Sequence, residues 1–215
     1  PDSAVQIGKY AFRSCLSLKE ILIPSSVTSI GYSVFANCES LSKITNLSSI
    51  TKIEFYSYEK CSSLTKITIP PSVTSIEKNV FDGCTSLTEV IIPDSVSFIG
   101  KSAFKNCSSL KEISIPSLVT RIENNTFDGC TSMTKIVFNS PIVLIGDYAF
   151  QDCSSLTEMP LPSTVTAIGR YAFHKCNSLN EISMPSSLVY IGHHAFTKCS
   201  SLTHITIPSS VTIID

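Results

Sequence analysis

The chain has 215 residues, 43% of them hydrophobic and 15% charged, with a net charge of −1. So even a balance supplies no global field for nucleic acid or an anionic membrane, and no apolar run approaches the ~18 residues of a membrane-spanning helix. Apolar residues recur in phase along the whole chain, which excludes a disordered polymer.

The interval of recurrence is 23 residues: cysteines stand at 15, 38, 61, 84, 107, 130, 153, 176 and 199 and nowhere else. A fixed period of this size is the mark of stacked supersecondary units. In a frame set at proline, coils open at Pro1, Pro24, Leu47, Pro70, Pro93, Pro116, Asn139, Pro162 and Pro185, and a tenth opens at Pro208 and runs to Asp215. Residues 1–215 therefore read as one elongated repeat domain of nine coils and a stub. The absence of atypical end units predicts a fragment whose capping sequence lies outside these boundaries.

Within each coil two elements are predicted. In coil two, apolar residues at Ile30, Val34, Phe35 and Cys38 have helical spacing, whereas the stretch after Leu41 alternates as a half-buried strand does. The strand is plainest in Leu64-Thr65-Lys66-Ile67-Thr68-Ile69-Pro70 and Leu110-Lys111-Glu112-Ile113-Ser114-Ile115-Pro116, where Ile67, Ile69, Ile113 and Ile115 should face inward. Proline ends each strand because it has no N–H for the ladder. Successive strands should pair in parallel at about 4.8 Å. A lone coil has too few inward side chains to fold, so stability must come from stacking on its neighbours.

The unit L-x-x-I-x-I-P-x-S-V-x-x-I-G-x-x-A-F-x-x-C-x-S resembles the 23-residue leucine-rich repeat of the BspA-like class, and the match runs the whole chain. Leu202-Thr203-His204-Ile205-Thr206-Ile207-Pro208, preceded by Ile191-Gly192-His193-His194-Ala195-Phe196-Thr197-Lys198-Cys199, fits nearly letter for letter. The resemblance implies an α/β solenoid: a right-handed leucine-rich-repeat superhelix with a concave parallel β-sheet and short helical or 3-10 turns on the convex side. It also implies a non-catalytic protein-binding module of a cell-surface or secreted protein, with matrix proteins such as fibronectin or fibrinogen as partners. An intracellular scaffold for signalling or cytoskeletal partners is the alternative.

Five columns repeat through the coils, and each has a structural explanation in place of a chemical one. The isoleucine column (Ile7, Ile30, Ile53 and onward to Ile214) and the aromatic column (Phe12, Phe35, Tyr58 and onward to Phe196) are core ladders. The cysteines lie three residues after the aromatic and three before the leucine, so they should face the core as small hydrophobes. Zinc would need thiolates converging from a C-x-x-C spacing that is absent, and a ladder of nine identical sites offers no pairing preference for disulfides. Ser17, Ser40, Ser63 and their six later copies have no matching base, so a hydroxyl bond to neighbouring backbone is expected of them. The column of Gly31, Gly100, Gly146 and others also admits Glu54, Glu77 and Glu123, which suits a permissive bend and not a phosphate loop.

Function is then expected where the coils differ. The outward strand positions form a polar face of mixed charge, whose candidate protein-binding residues are Lys19, Glu20, Lys43, Lys66, Glu89, Lys111, Glu112, Lys135, Glu158, Glu181 and His204. Coil three departs from the unit at Asn46-Leu47 and Glu54-Phe55-Tyr56-Ser57-Tyr58, adding aromatic surface. Turn-side Tyr32, Tyr148 and Tyr171 raise the same question. His174, His193 and His194 could approach one another, with solvent exposure as the default reading. Sequons stand at Asn46, Asn106 and Asn124, of which Asn46 occupies an inward strand column. No catalytic group, cofactor or metal is expected.

Overall fold

Two columns of parallel strands run along the chain, with a short strand in each coil and a long one in each coil as far as Ile182. The computed structural model describes residues 3–215, so Pro1, at which the first coil opens, lies outside the described residues. The long strands are Glu20–Leu22, Lys43–Thr45, Lys66–Thr68, Glu89–Ile91, Glu112–Ile115, Lys135–Phe138, Glu158–Met159 and Glu181–Ile182. They pair in parallel two by two with an offset of one coil, as in Lys66↔Glu89 and Ile113↔Ile136, and so make four two-stranded sheets. The inward isoleucines are where the alternation places them: Ile67, Ile69, Ile113 and Ile115 are buried, while Lys66 and Thr68 are exposed.

The second ladder consists of two-residue strands such as Ser29–Ile30, Ser75–Ile76 and Tyr190–Ile191. It breaks into sheets of three, two and five strands. The proline column shapes the corner between the ladders, where the N–H of Val27 donates to the Pro24 carbonyl at 3.0 Å and Val73 to that of Pro70 at 3.0 Å.

The third side of each coil is not helical. Among the described residues the stretch that carries helical spacing is a run of turns, and its backbone bonds explain why. Alternate N–H groups close turns within the coil, Cys15 onto Phe12 and Arg13 onto Tyr10; those between reach the next coil, Phe12 onto Val34 and Ser14 onto Ala36. A helix would direct every N–H into its own coil. Two residues per coil have left-handed backbone, Ser33 and Asn37 at φ 51° and 60° in coil two, which no α-helix accommodates. Gly83 and Gly129 stand in the second of these left-handed columns at φ 77° and 78°. The Gly100 column is different: it avoids positive φ, and a Cβ on Gly100 would lie 2.7 Å from the Lys78 nitrogen of the coil before it. Close approach of backbones favours glycine at Gly31, Gly100, Gly146, Gly169 and Gly192, whereas a Cβ on Gly8 would meet nothing and the column also admits Glu54, Glu77 and Glu123.

The interior is a set of stacked columns. Aromatic rings from Phe12 to Phe196 lie parallel with centroids 5.3–5.7 Å apart. Beside them each thiol from Cys38 to Cys199 donates to the aromatic carbonyl of the preceding coil, Cys38 to Phe12 at 2.9 Å and Cys107 to Phe81 at 3.2 Å. Cysteine therefore does two jobs, filling core volume and adding a second donor, from the next coil, to a buried carbonyl that already accepts a backbone N–H in its own coil. Burial pushes the Cys107, Cys130, Cys153 and Cys176 thiols well above their ordinary value.

The invariant serines behave otherwise than expected. Among the described residues none of these nine hydroxyls makes a hydrogen bond; their backbone N–H groups do the bridging, Ser63 to Glu39 and Ser132 to Ser108. Hydroxyl bridges come from other columns, in which Ser49 donates to the Val27 carbonyl at 2.7 Å and Ser72 to that of Ile50 at 2.6 Å.

Candidate functional site

The long-strand ladder turns one continuous row of side chains to solvent. Lys19, Glu20, Lys43, Lys66, Glu89, Lys111, Glu112, Lys135, Glu158, Glu181 and His204 are all exposed. Within each strand pair the parallel register sets a charge directly opposite one in the next coil. Lys43 thus meets Glu20 at 3.5 Å, and Lys66 meets Glu89 at 2.7 Å. Toward the other end the register brings Glu158 against Glu181, and like charges side by side on a strand pair are unfavourable. The first half of the row is thus internally neutralised and the second half carries uncompensated carboxylates. His204 bonds Thr206 through Nε2 at 3.1 Å, within an open depression of about 700 Å³ that Asn180, Glu181 and Thr203 also line. Ile91 and Val137 stand 46% and 37% exposed on the same face, either side of Ser114.

The turn side collects the remaining candidates. Tyr10, Tyr32 and Tyr56 meet edge to face at 5.2 and 5.5 Å, and Tyr148 stacks on Tyr171 at 5.1 Å. His174, His193 and His194 do come together, all three around the Tyr171 ring, with the His193 and His194 centroids 3.8 Å apart. Burial lowers the His174 pKa, and Lys175 and Lys198 lower it further. Among the described residues no three His, Cys, Asp or Glu side chains are arranged to hold a metal ion.

In coil three Phe55 is 39% exposed but Tyr58 is fully buried, so the departure adds less aromatic surface than its sequence suggests. Asn46 is exposed rather than inward, with φ 66°, and its amide donates to the Ile23 carbonyl at 2.7 Å. Asn106 is exposed, whereas Asn124 is half-buried and its Oδ1 accepts from the Asp147 N–H at 3.0 Å. The short-strand face was not foreseen. A partial signal was available in the unbroken Ile7-to-Ile214 column, which has threonine or valine two residues before nearly every isoleucine, a β-branched pattern.

With this geometry in place the comparisons with known proteins are direct. The model of the BspA type leucine-rich repeat region, six copies, matches residues 1–111 and 98–215. The chain belongs to the BspA-type leucine-rich repeat family. The solved leucine-rich repeat protein of T. pallidum is 33% identical to this BspA-type chain, with a TM-score of 0.68 over 71% of each chain. A leucine-rich repeat protein from Eubacterium ventriosum shares the fold, with a TM-score of 0.63 at 20% identity over 97% of this chain and 77% of that one. A leucine-rich cell surface protein from Faecalibacterium prausnitzii is 27% identical over 94% and 76%, with a TM-score of 0.49. No curated protein matches the chain significantly. Among the described residues no helix is long and apolar enough to cross a membrane.

Proposed function

We propose that this BspA-type repeat array is a non-catalytic protein-binding module of a cell-surface or secreted protein, and that the long-strand face is its recognition surface. The observation that carries the reading is the division of labour between columns: inward positions repeat from coil to coil, while the exposed pair beginning at Lys19 and Glu20 changes in charge at almost every step. An extended surface that varies coil by coil on an invariant support is how solenoids read a partner. Matrix proteins such as fibronectin or fibrinogen are the partners that the resemblance brings forward.

The test is surface plasmon resonance on immobilised fibronectin and fibrinogen. The native chain is compared with one carrying Lys43→Glu, Lys66→Glu and Lys135→Glu. The reversals should weaken binding at least tenfold and change its salt dependence. Binding that survives them unaltered would mean that the long-strand face is not the surface used.

A further inference from the structure

The glycine column sets how closely the short strands stack. From Gly31 onward each of its glycines donates to the isoleucine carbonyl of the coil before, Gly31 to Ile7 at 3.0 Å and Gly100 to Ile76, Gly146 to Ile122, Gly169 to Ile145 and Gly192 to Ile168 at 2.8 Å. Where another residue takes the position, the bond is long or missing. Glu54 reaches Ile30 at 3.2 Å and Asp215 reaches Ile191 at 3.1 Å, whereas among the described residues the N–H groups of Glu77 and Glu123 make no backbone hydrogen bond. Thr74 and Thr120, three residues earlier, also lack the bond to the preceding coil that Thr51, Ser97, Val143 and Thr166 make. The cause is the Cβ. On Gly100 it would fall 2.7 Å from the Lys78 nitrogen and on Gly169 2.5 Å from the Asp147 nitrogen, so a residue that carries one holds the two backbones apart.

The short ladder accordingly stops between Lys52–Ile53 and Ser75–Ile76, and again between Phe98–Ile99 and Arg121–Ile122. At the same two interfaces the long strands part as well, Lys43–Thr45 from Lys66–Thr68 and Glu89–Ile91 from Glu112–Ile115. Like charges neighbour each other across both gaps, Lys43 with Lys66 and Glu89 with Glu112, which favours separation. Depressions open there on the long-strand face, one of about 380 Å³ lined by Ile44, Lys66 and Thr68, the other of about 280 Å³ lined by Glu89, Glu112 and Ser114. Elsewhere one ladder stays closed where the other opens. Lys135–Phe138 and Glu158–Met159 are unpaired, but beside them Leu144–Ile145 pairs with Ala167–Ile168.

What spans the two interfaces is the turn side and the core. Tyr58 donates to Val80 at 3.0 Å and Lys60 to Asp82 at 2.7 Å; Phe104 donates to Thr126 at 3.0 Å and Asn106 to Asp128 at 2.7 Å. The ring stack continues across both, Tyr58 on Phe81 and Phe104 on Phe127. We propose that these two interfaces are hinges: residues 3–65, 66–111 and 112–215 are blocks that rock against one another about the bonded turn side, changing the curvature of the long-strand face. Segments with few backbone hydrogen bonds open at the lowest free energy, and a bonded edge opposite two open ones fixes the direction of opening. The hinges stand whether or not the long-strand face is a recognition surface.

Amide hydrogen exchange of the native chain, resolved by residue with NMR, tests the open ladder. Protection factors at Thr74, Glu77, Thr120 and Glu123 should be lower than at Ser97, Gly100, Val143 and Gly146 by at least about fivefold, the factor one net backbone hydrogen bond supplies. Glu77→Gly combined with Glu123→Gly should raise Thr74 and Thr120 to the level of Ser97. Glu77→Ala combined with Glu123→Ala keeps the Cβ and removes the charge, so it should leave them low. The rocking is read from distance distributions between spin labels carried on p-azidophenylalanine, which spares the thiols. Labels replacing Glu20 and Glu112 span both hinges, and labels replacing Glu112 and His204 span neither over the same four coils. The first distribution should be the broader, and the double glycine variant should narrow it. Uniform protection along the column, alanine variants that behave as the glycine ones do, or equal widths for the two label pairs overturns the proposal.

Discussion

The cysteine column and the charged column run side by side through the same solenoid, one residue per coil, and are opposites. From Cys38 to Cys176 the thiols are fully buried, identical, and bonded alike to the preceding coil. The row from Glu20 to His204 is exposed throughout, changes sign repeatedly, and forms an ion pair at only some steps. Both columns see the same geometry, so geometry alone does not produce uniformity. Burial does. Inside, a departure leaves a void or an unpaired polar atom that costs 1 kcal/mol or more by order of magnitude. Outside, water accommodates any side chain, and the position is free to carry recognition.

The largest expected effect of this contrast is on pH. The thiols have folded pKa values raised above their unfolded value of 9.0 by burial, half-buried Cys199 to about 11 and fully buried Cys107 and Cys153 well above 9.0. With the folded value raised, the folded chain keeps protons that the unfolded chain releases. The stabilisation is whole below about pH 9 and is lost as pH rises toward the folded values. Each thiol contributes on the order of 1 kcal/mol at one unit above its unfolded pKa, so several acting together should dominate alkaline unfolding. Urea midpoints measured under reducing conditions should fall steeply between about pH 8 and pH 10. Replacing Cys107, Cys130 and Cys153 with alanine should flatten that fall, and a native midpoint unchanged over the same interval would contradict the buried ladder.

This contrast also decides what could be read from the chain. The 23-residue period, the long strand ending at proline, and the inward Ile67 and Ile113 were legible because burial repeats the same demand in every coil. The short-strand ladder was not, since two residues such as Ser75–Ile76 are too few to show alternation. Helical spacing from Ile30 to Cys38 misled for a related reason: a turn run that returns every third or fourth side chain to the core yields the same apolar intervals as a helix. Left-handed residues gave no warning, because Ser33, Tyr56 and Tyr148 are not types that demand positive φ. On the candidate surface the exposed positions were legible from alternation, while the pairing of Lys66 with Glu89 depended on the parallel register. The hydroxyl bridges fell to Ser49 and Ser72 instead of the invariant serines, because only the former lie beneath an open carbonyl of the preceding coil.

One residue breaks the interior rule and gives the next effect in size. Tyr58 takes the place of phenylalanine in the aromatic ladder, stacked at 5.6 Å on Phe35 and 5.5 Å on Phe81. Its hydroxyl is buried without a partner, and burial drives the phenol far above its ordinary pKa. Tyr58→Phe keeps the ring and removes the orphan oxygen, so it should stabilise the chain by about 1–3 kcal/mol. The urea midpoint should rise with an unchanged slope. A fall would show that the hydroxyl has a partner after all.

The charged column should respond least. Lys66 and Glu89 approach to 2.7 Å, yet their side chains remain 54% and 50% exposed, so water screens the attraction and each partner gives up side-chain freedom to hold the pair. A double-mutant cycle with Lys66→Ala and Glu89→Ala should return a coupling of about 0.2–1 kcal/mol. That coupling should fade in roughly 1 M salt, where the screening length is about 3 Å. A coupling of several kcal/mol, or one insensitive to salt, would place this pair with the buried columns. It would also end the distinction between an interior that specifies the fold and an exterior that is free to bind.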